Sequence, residues 1–182
     1  MPRVHWRSTP RLLPHCDWLA AGGSLTARLR ALGDFQVSVL SQSWQRALPD
    51  EAAALGLGRP RRVYVRQVCL RLEGTAVVLA RSTIGRRASR GAWRLLRQLR
   101  ERPLGAALWS DPRIRREHLE FAWLPVTHPL ICRSPQPAAT PARRSRYWLR
   151  GQPLVLVEAF LPAIDQWTPG RVRLPAIFCN DH

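Results

Sequence analysis

Apolar segments of strand length, joined in two places by tight turns, are the feature of this sequence that most limits its fold. Such segments occur at 35–44, 61–72, 75–83, 117–126 and 145–162. Glu73-Gly74 separates the second from the third, and Gly151-Gln152 is the expected turn of the last, which is the clearest hairpin in the chain. Because strands joined by tight turns run in opposite directions, the sequence predicts an antiparallel sheet.

Helical patterns are inserted between these strands in blocks. The first is predicted within 17–33, with Ser24 as the N-cap of its second half and Gly33 as its C-cap. The second, at 91–102, is predicted to be an amphipathic surface helix with arginines on its outer side. Strands beside strands, with helices inserted in blocks, indicate a single domain of the α+β class.

Three ionisable residues stand in these strands where a simple core would have an aliphatic side chain: Arg66, Arg81 and Glu158. Residues two apart in a strand share a face, so Arg66 lies with Val68 and Arg81 with Leu79. The strand of Glu158 is apolar on both faces, which predicts a buried carboxylate. Since burying an unpaired charge costs several kcal/mol, these groups should face one another or a ligand. An internal salt bridge without chemistry and a pocket for a small, anionic, hydroxylated ligand both stay open.

The charge of the chain bears on its partners. Its 182 residues carry 29 basic side chains, all of them arginine, against 12 acidic ones, for a formal net charge of +17. The abundance of arginine, alanine, proline and glycine fits a GC-rich coding sequence, and the arginines are scattered. A positive field attracts anions. DNA binding is nevertheless expected to be weak and independent of sequence, so no specific nucleic-acid partner is predicted.

Membrane and metal signals are weak in this sequence. No apolar run approaches the roughly 20 residues that cross a bilayer, and the first residues lack the apolar stretch of a signal peptide. A cytoplasmic protein without membrane insertion is therefore expected. Cys16, Cys69, Cys132 and Cys179 are widely separated and form no CxxC pair, so no metal site is predicted.

Several segments, taken in order, resemble the chorismate pyruvate-lyase family of ubiquinone biosynthesis. They are DWL followed by SLTARL, then VYVRQVCL, LARSTI, RPLGAALW and RRSRYWLRGQPLVLVEAFLPA. The resemblance covers residues 16–164, which leaves residues 1–15 as a basic arm and 165–182 as an irregular C-terminal tail. It implies a six-stranded antiparallel sheet with helices on one side and flap helices that close an internal ligand cavity.

The resemblance also implies roles for individual residues. Arg66 is similar to the family arginine that grips the ring carboxylate of the substrate, and Glu158 to the buried glutamate that contacts the hydroxyl across the ring; these are the two implied catalytic residues. Leu104 resembles a flap residue that offers its backbone to the ligand. Arg81 resembles a second pocket arginine at the back of the cavity, and Leu25 stands where the family often has methionine.

The reaction implied by the resemblance converts chorismate to 4-hydroxybenzoate and pyruvate, the first committed step towards ubiquinone, in a monomer without metal or cofactor. Three alternatives stay open: a non-catalytic effector-binding domain of the same fold, an enzyme that forms 3-hydroxybenzoate, and a basic nucleic-acid-binding protein. The first is disfavoured because about 15 residues before the domain are too few for a winged helix.

Overall fold

The structure, a computed structural model, describes residues 4–10, 13–132, 134 and 137–168. Within these residues the strands are β1 (Phe35–Arg46), β2 (Arg62–Leu72), β3 (Thr75–Ile84), β4 (Arg115–Arg116), β5 (Glu120–Leu124), β6 (Thr140–Leu149) and β7 (Gln152–Phe160). The α-helices are α1 (Cys16–Leu19), α2 (Leu25–Arg30), α3 (Pro49–Ala54), α4 (Arg86–Arg90) and α5 (Leu104–Ser110), and 3₁₀ helices span Arg94–Arg97 and Pro162–Trp167. No helix among these is long and apolar enough to cross a membrane.

All strand pairs are antiparallel, and the strands form one sheet in the order β1-β2-β3-β7-β6-β4, with β5 also paired to β6. The predicted α+β class is confirmed. The described part of the chain contributes seven strands rather than six, and the shortest, β4, has two residues. The two central strands, β3 and β7, carry buried residues on both faces, as the continuous apolar pattern of the last hairpin predicts.

Apolar side chains pack into two cores, one on each face of the sheet. The first core, which contains Trp18, Trp93 and Phe160, is covered by α1, α2, α4, α5 and both 3₁₀ helices. The second core, which contains Val65 and Ile131, is covered by α3 and by the segment before β6. Helices were expected on one side of the sheet. Among the described helices, α3 alone lies on the other side, against the second core.

The positions of the two hairpin turns fix which residues face each other. Glu73 and Gly74 both have positive φ, 49° and 72°, as the two central residues of a tight hairpin turn require. In the β6–β7 hairpin the residues with positive φ are Arg150 (50°) and Gly151 (67°), one position earlier than predicted. This shift of one residue changes every cross-strand pair of the hairpin.

An extra residue in β3 changes the pairing of the first hairpin. Near the turn, Arg71 pairs with Ala76, but the next pair joins Leu70 to Val78, so that Val77 is a β-bulge. Without the bulge, the turn at Glu73-Gly74 would place Arg66 opposite Arg81. With it, Arg66 pairs with Ser82 and Arg81 with Gln67. Because neighbouring residues of a strand point to opposite faces, Arg66 and Arg81 lie on opposite sides of the sheet.

The segment 91–102 does not form the continuous helix that its pattern predicts. Only Arg94–Arg97 is helical, as a 3₁₀ turn, although Trp93, Leu96 and Leu99 are buried as the pattern indicates. Gly91 has φ −111° and ψ −117°, and Arg100 has φ 49°, so neither end has helical dihedral angles. The carbonyl groups of Arg100 and Arg102 accept hydrogen bonds from a side chain of the sheet instead.

The described parts of the predicted arm and tail are attached to the domain. Arg7 exchanges two backbone hydrogen bonds with Phe121, at 2.9 and 2.7 Å, and the Trp6 indole donates to Asp50. The 3₁₀ helix Pro162–Trp167 continues through the boundary expected at residue 164. Residues 169–182 of the expected tail, and 1–3, 11 and 12 of the arm, lie outside the described residues.

Buried charges on the second-core face attach α3 to the sheet. Glu51, in the first turn of α3, accepts hydrogen bonds from Arg81 at 2.6 and 3.1 Å and from Thr83 at 2.8 Å. Burial alone would raise the pKa of Glu51, but the hydrogen bonds and positive charge of Arg81 lower it. His128 packs near this pair. Burial first, and then the charge of Arg81, lowers its pKa to about 4, although Glu51 and Asp50 act in the opposite direction.

We expect the free energy of unfolding to fall with acid because of His128. Its Nδ1 atom accepts a hydrogen bond from the Leu130 N–H, which requires the neutral ring. The unfolded chain binds a proton near pH 6.5, whereas the folded chain resists protonation until about pH 4. The stabilisation is therefore complete above about pH 6.5 and is lost progressively as the pH falls towards 4, by about 3 kcal/mol.

Urea unfolding at a series of pH values measures this loss. His128→Asn should make the free energy of unfolding less dependent on pH in that window, and the exposed control His118→Asn should leave the parent slope unchanged. If the free energy of unfolding of His128→Asn depended on pH as strongly as that of the parent, the loss of stability in acid would not be due to His128.

Candidate functional site

A cavity opens on the first-core face of the sheet, between the strands and the helices α2 and α5. Its volume is about 500 Å³, counting the part that is open to solvent. The sheet contributes the polar side chains of Arg66, Ser82, Arg143, Tyr147 and Glu158 and the apolar side chains of Val37, Val68, Leu70, Ala80 and Leu156. A mostly apolar wall with a few convergent charges suits a small anionic molecule.

Arg66 is a buried cation in this wall, with 1% of its surface exposed. Its Nη2 atom donates to the carbonyl oxygens of Arg100 and Arg102, at 2.7 and 3.0 Å, and no carboxylate among the described residues pairs with it. Burial lowers its pKa to about 10, while Tyr64 has an opposing effect, so the guanidinium is charged at neutral pH. A buried cation without an anion is costly, and an anionic ligand in the cavity would offset this cost.

Two buried N–H donors have no acceptor among the described residues. One is Nε of Arg66, and the other is Nε2 of Gln42, which lies directly opposite Arg66 across the β1–β2 ladder. Arg66 lines the cavity and Gln42 does not. A carboxylate in the cavity is therefore a suitable acceptor for Nε of Arg66. The sequence analysis did not identify Gln42.

Glu158 lies in the cavity wall and is paired with an arginine that the sequence analysis did not identify. Its Oε2 atom accepts a hydrogen bond from Nε of Arg143 at 2.6 Å, and the two residues are opposite each other across the β6–β7 ladder. A turn at Gly151-Gln152 would have placed Ser145 there instead. The partner of Glu158 was expected to be Arg66 or Arg81; this expectation is wrong, because the register selects Arg143.

Arg143 also connects the cavity to the segment before α2. Its Nη1 atom donates to the carbonyl oxygens of Trp18, Leu19 and Ala21, at 3.2, 3.3 and 2.9 Å. The guanidinium thus links the floor of the cavity to α1 and to the segment that leads into α2. Because a carboxylate accepts up to about four hydrogen bonds, the pair with Arg143 leaves acceptor capacity on Glu158 for a ligand hydroxyl.

Arg81 lies outside the cavity. It is 1% exposed, on the second-core face, where it is bound to Glu51 and accompanied by Gln45. The expectation that Arg81 would be a pocket arginine is therefore corrected: the bulge at Val77 turns its side chain to the other side of the sheet. Both interpretations left open by the sequence occur in this protein, since Glu51–Arg81 is an internal salt bridge and the wall with Arg66 and Glu158 is a polar pocket.

The helices α2 and α5 cover the cavity, and each begins at a residue singled out in the sequence. Leu25 and Leu104 are the first residues of α2 and α5, both are 6% exposed, and both line the cavity. The N–H of a first helical residue has no acceptor within the helix, so the backbone of Leu104 is available to a ligand. Ser24 caps α2 as predicted, through its hydroxyl and the Ala27 N–H. The exposed Trp109 lies at the rim.

Close packing between the two covering helices depends on Gly105. A Cβ atom at this position would lie 2.6 Å from Oγ1 of Thr26 and 3.3 Å from Oγ of Ser24. Glycine therefore lets α5 approach α2 closely over the cavity.

Metal ligands are not grouped at this site. Nowhere in the described residues do three or more histidine, cysteine, aspartate or glutamate side chains gather in a way that would hold a metal ion. The polar groups that the sheet contributes to the cavity are two guanidinium groups, one carboxylate, a serine hydroxyl and a phenol. Burial first, and then the charge of Glu158, raises the pKa of the Tyr147 phenol, which therefore stays a neutral donor at neutral pH.

Comparison with known proteins gives matches over nearly the whole chain. A family model described as chorismate lyase matches residues 3–171. A probable chorismate pyruvate-lyase of Aromatoleum aromaticum is 44% identical over 171 residues, which cover 90% of this chain and 89% of that protein. A probable chorismate pyruvate-lyase of Thiobacillus denitrificans is 42% identical over 166 residues, which cover 88% of this chain and 88% of that protein.

Solved structures with a similar fold include an effector domain and the C-terminal domain of a repressor. The effector domain of PhnF from Mycobacterium smegmatis superposes with a TM-score of 0.53 at 19% identity, over 79% of this chain and 91% of that domain. The C-terminal domain of the histidine utilization repressor from Pseudomonas syringae also gives 0.53, at 17% identity, over 80% of this chain and 99% of that domain. At these identities the likeness shows the fold alone.

We expect Gly105→Ala to separate α2 from α5 and to weaken ligand binding. The added methyl group overlaps the Thr26 hydroxyl, and such overpacking typically costs about 1–3 kcal/mol, so affinity for a small hydroxylated aromatic carboxylate, used as a probe of the cavity, should fall about tenfold. Calorimetric titration measures it. Gly22→Ala, whose methyl group meets nothing within 4 Å, is the matched control and should bind as the parent does.

A second variant tests the cause. Adding Thr26→Ala to Gly105→Ala removes the closest contact, so part of the lost affinity should return. Parent-like affinity in Gly105→Ala would show that close approach of the helices is unimportant for binding.

Proposed function

This chain belongs to the chorismate lyase family, and we propose that it converts chorismate to 4-hydroxybenzoate and pyruvate. The observation that carries the proposal is a buried arginine, Arg66, that has no carboxylate partner in the described part of the chain and shares a mostly apolar cavity with a buried glutamate, Glu158. Chorismate is a dianion with a ring hydroxyl, so it offers a carboxylate to the cation and a hydroxyl to the carboxylate.

The register of the sheet gives these two residues a suitable separation. Ala80 of β3 faces Glu158 of β7, and Ser82 of β3 faces Arg66 of β2. Arg66 and Glu158 are thus two strands and two residues apart, which places their Cα atoms about 12 Å from each other. Two inward-pointing side chains leave room between them for one six-membered ring. We propose that Arg66 binds the ring carboxylate and that Glu158 accepts a hydrogen bond from the hydroxyl on the opposite side of the ring.

The proposed chemistry breaks the C–O bond that joins the ring to the enolpyruvyl group. The ring carbon that bears the hydroxyl loses its proton, the ring becomes aromatic, and the methylene carbon of the enolpyruvyl group gains a proton to become the methyl group of pyruvate. Formation of the aromatic ring makes the reaction favourable. The protein needs to hold the side chain where the ring proton can reach it, and positioning can supply about 7–11 kcal/mol of barrier reduction.

Electrostatic preorganisation complements this positioning. Arg66 and Arg143 are held by backbone carbonyls and, for Arg143, by Glu158, so neither guanidinium must be reoriented when a charged substrate arrives. A cavity covered by α2 and α5 strengthens each charge interaction by excluding water. Neither the positioning of the substrate nor the electrostatic preorganisation assigns a role to a metal or to a cofactor. We propose that the product is an aromatic precursor of ubiquinone and that a cytoplasmic monomer forms it.

Incubation of the purified protein with chorismate tests the function. Chromatography should detect 4-hydroxybenzoate and pyruvate in equal amounts. Formation of 3-hydroxybenzoate instead would favour the alternative of an enzyme that forms this isomer. Unchanged chorismate, with saturable binding, would favour an effector-binding domain.

Arg66→Met should abolish useful turnover without loss of stability. Removal of the guanidinium deprives the substrate carboxylate of a bidentate partner, so kcat/KM should fall at least about 100-fold. It also removes a buried cation that pairs with no carboxylate among the described residues, which offsets the loss of its hydrogen bonds to the Arg100 and Arg102 carbonyls, so the free energy of unfolding should change little. Steady-state kinetics and thermal melts measure the two effects. Arg71→Met, on the same strand but outside the cavity wall, is the control. A folded Arg66→Met enzyme with parent kinetics would refute the proposed role.

Glu158→Gln and Glu51→Gln form a matched pair that separates a role in catalysis from a role as a counter-ion. Both glutamates are buried and both accept from an arginine at 2.6 Å, but Glu158 alone of the two lines the cavity. Glu158→Gln should lower kcat about 10- to 100-fold. Glu51→Gln should lower the Tm and leave kcat at the parent value.

Kinetics and melts of both variants decide between the roles. If Glu158→Gln resembles Glu51→Gln, with a lower Tm and an unchanged kcat, Glu158 is a structural counter-ion.

A further inference from the structure

Exposed arginines gather around a second concavity of the structure, at the end of the sheet where β1 finishes and β2 starts. Four of them, Arg62, Arg86, Arg90 and Arg97, line a groove together with Trp44. We call these five residues the arginine groove. Its volume is about 630 Å³, counting the part that is open to solvent, and it shares no lining residue with the cavity of Arg66 and Glu158.

The fold brings these residues together from separate segments. Trp44 pairs with Tyr64 across the β1–β2 ladder, and the two rings make an edge contact with centroids 5.7 Å apart. Arg62 is two residues before Tyr64 and therefore on the same face. Arg86 and Arg90 are four residues apart on α4, where such spacing aligns side chains. Cζ of Arg97 lies 5.9 Å from the centre of the Tyr64 ring.

The positive charge of the groove is not compensated within the described residues. The ion pairs found there involve none of the four groove arginines. A fifth arginine, Arg46, lies directly opposite Arg62 across the ladder, and like charges in that position destabilise a sheet. High arginine content explains the number of these residues. It does not explain why several surround one concave surface without a carboxylate.

The chemistry of the groove selects one class of ligand. Guanidinium groups bind phosphate oxygens in bidentate fashion, and a set of four suits an anion with several adjacent charges. An extended nucleic-acid strand would need a row of stacking rings, and Trp44 is the single aromatic residue of the lining. Insertion into a lipid surface would need exposed apolar side chains, and the large exposed ones, Leu32, Trp109, Trp123 and Val126, lie outside the groove. We propose that the arginine groove binds a compact polyphosphate anion.

Calorimetric titration with tripolyphosphate at about 0.15 M ionic strength tests the proposal. We expect saturable binding of one anion per chain. Arg62→Gln and Arg90→Gln should each weaken it about tenfold, since each removes a charged hydrogen-bond donor. Both residues are exposed, so the variants should fold as the parent does. Arg115→Gln, an exposed arginine on β4 at the far edge of the sheet, is the charge-matched control and should bind within about twofold of the parent.

A second titrant identifies the source of the phosphates. Tighter binding of adenosine triphosphate than of tripolyphosphate, with the difference removed by Trp44→Leu, would support a nucleotide site. Equal affinity would support a site for a bare polyphosphate chain. The absence of saturable binding of both anions would overturn the proposal. It would also be overturned if Arg115→Gln lost as much affinity as Arg62→Gln and Arg90→Gln, because such a result would indicate diffuse attraction by the net charge. Tighter binding of an oligothymidylate that is unaffected by Arg62→Gln and Arg90→Gln would overturn it as well, in favour of a nucleic-acid surface elsewhere.

Discussion

The bulge at Val77 divides the buried charges of this protein between the two faces of its sheet. One extra residue in β3 moves Arg81 to the face of α3, where Glu51 binds it, and leaves Arg66 on the face of the cavity. A sheet has a period of two, so an insertion of one residue reverses the direction of every side chain beyond it. Had the ladder been regular, Arg66 and Arg81 would share a face and compete for the same anion. The bulge produces one satisfied ion pair and one buried cation that has no carboxylate partner among the described residues.

The cavity wall contains two arginines and one glutamate, Arg66, Arg143 and Glu158. Arg66 is held by two carbonyl groups and forms no ion pair with a described carboxylate, whereas Glu158 is held by Arg143, which also binds three carbonyl groups before α2. Each charged group is thereby fixed by the backbone that forms or precedes the cover of the cavity. Hydrogen bonds therefore connect both charged groups of the cavity wall to the segments that precede α2 and α5. Fixed charges in a dry cavity are the form of electrostatic assistance that costs least reorganisation during a reaction.

The surface charge has a related physical consequence. With 29 arginines against 12 acidic residues, the protein creates a positive potential that attracts small anions from solution, and a dianionic substrate would benefit from it. This attraction extends over about 8–10 Å at physiological salt. Selection among anions therefore depends on local arrangements: one buried guanidinium beside an apolar wall in the cavity, and four exposed guanidinium groups around Trp44 in the arginine groove.

Sequence periodicity determined the antiparallel sheet, the burial of Arg66, Arg81 and Glu158, the turn at Glu73-Gly74 and the cap at Ser24, because each depends on residues close to one another in the chain. The family resemblance, carried by motifs such as VYVRQVCL and LVLVEAFLP, determined the class of enzyme. Tertiary structure decided which charges meet. The bulge at Val77 and the turn at Arg150-Gly151 each shift a ladder by one residue, and local preferences are too similar between neighbouring positions to specify such a shift. The segment 91–102 shows the same limit: its apolar positions are buried as predicted, but the carbonyls of Arg100 and Arg102 bind Arg66 instead of continuing a helix.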